Sequence, residues 1–87
     1  MDTEAKREEF HYRAYDHVKG DTSEWIRDVS RVARDWGFNE SEICSFVSYY
    51  EGKGFVKAEY AVDGKVIALR LTSEGVDYAE HGSEYRN

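Results

Sequence analysis

Proline is absent, cysteine occurs once, and no apolar run approaches the roughly 20 residues that cross a bilayer. Without proline there is no proline-rich linker or stalk. The lone Cys44 permits no disulfide within this chain and has no CxxC partner. Its place among apolar positions of a predicted helix makes it a small core hydrophobe. The opening Met1-Asp2-Thr3-Glu4-Ala5-Lys6 lacks the basic-then-apolar order of a secretory signal. A reducing, cytoplasmic setting with no membrane is the expectation. Positive charge is missing from Gly37 through Gly52, where Glu40, Glu42 and Glu51 supply three negatives.

What remains fits one folded domain. A hydrophobic share of 40% and an aromatic share of 15% over 87 residues support a single modest core. The domain is expected to span residues 4–82, with 1–3 and 83–87 as flexible ends. The net charge of −6 disfavours indiscriminate nucleic-acid affinity, although seven lysines and arginines fall within the first 34 residues.

Periodicity predicts the elements. Phe10, Ala14 and Val18 recur four apart, bordered by His11 and Tyr15, and predict a helix from about Glu4 to Val18, ended by Lys19-Gly20. Asp21 with Glu24 reads as a capping box opening a second helix, with Ile26, Val29, Ala33 and Trp36 inward and Gly37 as its stop. Asn39 with Glu42 repeats the box before Ile43, Phe46, Val47 and Tyr50, and Lys53-Gly54 closes that third helix. The period then changes to two. Strands Phe55–Val62 and Lys65–Leu71 meet at Asp63-Gly64, read as a two-residue type I′ turn. That register sets Val56 against Leu71, Ala58 against Leu69 and Tyr60 against Ile67 on one apolar face, leaving Lys57, Arg70, Glu59 and Ala68 to solvent. Thr72 caps a short closing helix in which Val76 and either Tyr78 or Ala79 pack inward.

The expected fold class is α+β: three helices, a two-stranded antiparallel hairpin and a short C-terminal helix. Three pieces carry a family resemblance: DVSRVARDWGFNESEICSFVSYYEGKGFV, KAEYAVDGKVIALRL and LTSEGVDYAE. Together they resemble the winged helix-turn-helix superfamily over roughly Phe10 to Glu80. The resemblance implies a DNA-binding transcriptional regulator whose third helix enters the major groove of double-stranded DNA while the hairpin touches backbone or minor groove. Arg27, Arg31 and Arg34 would then meet phosphate, Ser45, Ser48 and Tyr49 would face the groove, and Lys57, Lys65 and Arg70 would contact DNA from the wing. The same residues have plainer readings. The arginines can pair with Glu24, Asp28 and Asp35, and the hairpin cations can discourage edge pairing.

The third helix carries no arginine or lysine before Lys53, and these are common base readers. The alternative is therefore a protein-interaction or dimerisation domain on the same scaffold, with an acidic third helix. Tyr12, Tyr15, Tyr78 and Tyr85 are its candidate interface, because tyrosines bury large area at low entropy cost and the first and last helices are expected to be neighbours. No catalytic constellation is evident. His11, His17 and His81 have no metal-ligand spacing and read as surface residues, and Gly52, Gly54 and Gly64 form no phosphate loop. No cofactor, metal or enzymatic activity is expected.

Overall fold

Asn39 and Glu42 form a reciprocal capping box, the Asn39 side chain accepting from the Glu42 amide and the Glu42 carboxylate from the Asn39 amide. This fixes where the central helix starts. In the computed structural model, which describes residues 3–82, the elements follow in order: α1 (Thr3–Val18), β1 (Ile26–Arg27), α2 (Val29–Asp35), α3 (Glu40–Gly52), β2 (Val56–Tyr60), β3 (Val66–Leu71) and α4 (Ser73–Asp77). A π-helical turn, Tyr78–Gly82, prolongs α4. Of the ends expected to be flexible, Thr3 is helical, and residues 1–2 and 83–87 lie outside the described residues.

The fold is α+β, with helices packed on one face of a three-stranded antiparallel sheet in the order β1-β3-β2. The core gathers the stripes read from the sequence. Phe10, Ala14 and Val18 of α1, Val29 and Ala33 of α2, and Ile43, Phe46, Val47 and Tyr50 of α3 pack onto Ile26, Val56, Leu69 and Leu71 of the sheet. The Phe38 ring, carried past α2 by Gly37 at φ 100°, turns back against Phe10 and Phe46.

The sheet has a third strand where the second helix was expected to begin. Asp21 is not a helix cap: its carboxylate accepts from both the amide and the hydroxyl of Ser23. Ile26 then pairs with Leu69, and Asp28 breaks the strand in the left-handed region at φ 54° before α2 starts. Ile26 is buried in either arrangement, which is why the helical stripe was deceptive.

The hairpin follows the expected register from Val56↔Leu71 through Glu59↔Ala68 and then departs from it. Its loop has three residues rather than two. The Ala61 amide donates to the Lys65 carbonyl, and the Gly64 amide, at φ 90°, donates back to Ala61. Tyr60 therefore faces Val66, and Ile67 is the extra residue of a bulge. The bulge turns Val66 inward and leaves Ile67 and Tyr60 exposed. Ala68 is buried on the outer face, where its two register partners, Arg27 and Glu59, approach within 3.8 Å across its methyl group.

Candidate functional site

The face of α3 opposite its buried stripe falls, at 100° per residue, on Ser41, Ser45, Ser48 and Gly52, all exposed. No charged side chain lies on that line. One flank carries Tyr49, exposed, with the Arg7 guanidinium of α1 at 3.9 Å from its ring centre and the Lys53 ammonium at 5.4 Å. On the other flank, Glu51 accepts a 2.7 Å hydrogen bond from the Tyr60 hydroxyl of β2. Partial burial, reinforced by this bond, pushes the Tyr60 phenol up to about 12.

The acidic start of α3 is already engaged. Glu40 accepts from the Ser30 hydroxyl at 2.8 Å, and Glu42 accepts from Lys6 at 2.6 Å. The Lys6 contact and the Asn39 amide hold the Glu42 carboxyl below its usual range. Lys6 and Arg7 are the residues that sequence reasoning missed here. Their proximity depends on how α1 packs across α3, and no local pattern encodes that.

The candidate nucleic-acid residues do not share one face. Ser45, Ser48 and Tyr49 are on α3, as expected. Arg27 is not on a helix at all: it points outward from β1. Lys57 and Arg70, opposite one another on β2 and β3, alternate with core residues and point to the same outer side. The sheet therefore separates these three cations from α3. There the Trp25 ring lies 5.3 Å from the Arg70 guanidinium and 5.7 Å from that of Arg27, while Arg70 donates to the Thr22 carbonyl. On α2, Arg31 bonds Asp28 at 2.8 Å and Arg34 donates to the Ser30 carbonyl. Lys65 stands exposed at the hairpin loop, beside the fully exposed Val62.

The candidate interface tyrosines mostly serve the joint between α1 and the C-terminal helix. Tyr78 donates to Glu8 and stacks on Phe55, and Tyr15 donates to Glu80. Tyr12 is half-buried on α1, and Tyr85 lies outside the described residues.

The same joint contains His11, which is buried at 1% exposure rather than on the surface. Its Nε2 sits 2.8 Å from the Gly75 carbonyl, so Nε2 carries the proton and Nδ1 is bare. Rings of Tyr50, Phe55 and Tyr78 surround it. Burial, only partly offset by the Gly75 contact, lowers its pKa and keeps it neutral. Gly75 is needed at this point because a Cβ there would stand 1.9 Å from the Phe55 carbonyl oxygen.

Among the described residues no pocket is enclosed, no group of histidine, cysteine and carboxylate side chains could hold a metal ion, and no helix is long and apolar enough to cross a membrane. Cys44 is half-buried, short of the full burial expected. Comparison with protein-family models, with curated proteins and with solved structures finds no match.

Proposed function

We propose that the chain is a non-catalytic docking domain of the winged-helix type, and that the outward face of α3 with the adjoining hairpin takes a protein partner. Support for the winged-helix reading comes from the short turn joining α2 to α3, the hairpin directly after α3 and the closing helix. β1 adds a strand beside β3 without disturbing that order.

The observation that carries the docking reading is the composition of α3's outward face. Ser41, Ser45, Ser48 and Gly52 are small and uncharged, so another backbone can approach closely there. Beside them the hairpin exposes Tyr60, Val62 and Ile67, apolar surface of the kind that partners cover. A DNA backbone would instead meet Glu40 and Glu51 near α3, with Arg27, Lys57 and Arg70 on the far side of the sheet.

Docking on duplex DNA, as in a transcriptional regulator, is the second reading. One observation favours it: Arg7 and Lys53 flank Tyr49, next to Ser45 and Ser48. An amide chemical-shift titration with generic duplex DNA, at about 25 mM and about 150 mM salt, separates the two. The docking reading expects unchanged α3 amides at both salts. Salt-sensitive shifts at Arg7, Ser45, Ser48 and Tyr49 would replace it with the DNA reading. A photo-crosslinker at Ser45 supplies the positive arm: one discrete protein adduct, lost on Ser48→Arg and absent with the crosslinker at Arg31.

A further inference from the structure

β2 forms one edge of the sheet, and its backbone phase follows from two hydrogen bonds. The Ala61 amide and the Phe55 carbonyl both point toward β3, to Lys65 and Thr72. In an antiparallel ladder such residues alternate. Lys57 and Glu59 therefore also turn their backbone groups to β3, and Val56, Ala58 and Tyr60 turn theirs to the open edge. Among the described residues no backbone bond from outside the sheet reaches those three. The opposite edge of the sheet is only two residues long.

We propose that β2 is a self-pairing edge: two copies of this chain join antiparallel about Ala58, making one continuous six-stranded sheet across a two-fold axis. The pattern of charge selects this partner and this register. Pairing about Ala58 sets Val56 against the second copy's Tyr60 and Tyr60 against its Val56, with the three open backbone groups in phase to bond. It also sets Lys57 against the second copy's Glu59, twice over by symmetry. These pairs fall at the non-hydrogen-bonded positions, where opposite side chains stand closest. Pairing about Lys57 or Glu59 would oppose like charges. Pairing about Val56 or Tyr60 would match neither charge within β2, setting Glu59 against Lys53 at the helix exit or Lys57 against Asp63 in the hairpin loop. Lys57 has no ion pair within the chain among the described residues, and Glu59 has only the exposed 3.8 Å contact with Arg27. Ala58 at the axis is small enough for two copies to meet. Beneath the edge, Cys44 on the flank of α3 is small as well.

A charged residue in the middle of an edge strand ordinarily keeps other strands away. Here lysine and glutamate are placed symmetrically about one residue, so the edge repels most strands and suits its own copy. The inference shares Tyr60 with the docking surface but does not rest on it, since it follows from the open backbone groups of β2 and the placement of Lys57 and Glu59.

Sedimentation of the full chain, with reductant present, from about 10 μM to about 1 mM tests it. The expected result is a dimer, with Lys57→Glu and Glu59→Lys each weakening association about tenfold or more. The Lys57→Glu/Glu59→Lys double variant exchanges the two charges and is expected to recover association to within about threefold of the original chain. A monomer up to about 1 mM would overturn the proposal. So would a dimer indifferent to either single variant, or a double variant no better than the singles. Circular dichroism of each variant confirms that the exposed substitutions leave the fold intact.

Discussion

The two ends of this small domain treat their polar groups in opposite ways. Where α1 meets α4, the chain closes on itself: Tyr78 bonds Glu8, Tyr15 bonds Glu80, His11 holds the Gly75 carbonyl, and Gly75 presses against the Phe55 backbone. Thr72 adds a clasp, capping α4 through the Gly75 amide and donating to the Gly54 carbonyl at 2.6 Å. At the α3–hairpin end, by contrast, serines, tyrosines and alternate backbone groups of β2 face outward. The closed end holds the fold together, and the open end is free to meet something else. Substitutions at the first should move stability and leave association alone; substitutions at the second should do the reverse.

The largest effect is expected from Gly75→Ala. A methyl group aimed at the Phe55 carbonyl from 1.9 Å forces α4 off the sheet. Thermal unfolding should show a loss of about 3 kcal/mol or more, roughly 15 °C for a domain of this size. An unchanged melting temperature would mean that α4 is loosely seated and that the closed end is not closed.

Next comes the acid sensitivity of His11. Its folded pKa lies below the unfolded 6.5, so the unfolded chain binds the extra proton first as pH falls. The stability tied to a neutral His11 is complete above 6.5 and is lost progressively as pH falls below it. The rings packed on His11 belong to Tyr50, Phe55 and Tyr78, and none of them carries the negative charge that would raise its pKa and reverse the sign. Denaturant melts from pH ~8 to pH ~5 check this, with His11→Gln expected to flatten the curve in that window. A wild-type curve already flat there would contradict a buried neutral imidazole.

Thr72→Ala removes both a cap and a tether to Gly54 and should cost about 1–2 kcal/mol in the same melts. The smallest effect on stability belongs to the open end. Ser48→Arg should change unfolding by no more than about 0.5 kcal/mol while abolishing the Ser45 crosslink. A large loss of stability from Ser48→Arg would show that α3's outward face is part of the fold's own packing.

Legibility in the sequence followed how local each cause was. α3 could be read in full because its cap, its stripe and its exit all lie within sixteen residues, Asn39 to Gly54. The segment from Asp21 to Asp28 misled because Asp21 and Glu24 have capping-box spacing, yet Ser23 takes the Asp21 carboxylate, and the strand depends on a partner more than forty residues on. At the hairpin tip both a two-residue and a three-residue loop require Gly64 at positive φ, so the glycine alone could not choose between them. The candidate site was half visible. Ser45, Ser48 and Tyr49 follow from the helical period, whereas Arg7 over Tyr49 and the removal of Arg27 to the sheet's outer face depend on tertiary packing. His11 could not be placed from its own neighbourhood, since the rings that bury it come from α3, its exit and the C-terminal helix.

Residue-resolved amide hydrogen exchange on the monomer, at a concentration where sedimentation shows no self-pairing, tests the contrast between the ends most directly. The account predicts protected amides at Lys57 and Glu59, which point to β3, and at Ala79 in the closed seam. It predicts rapid exchange at Ala58 and Tyr60, which point to the open edge. Protection of Ala58 and Tyr60 equal to that of their neighbours would mean that the edge is already covered, and would contradict the account.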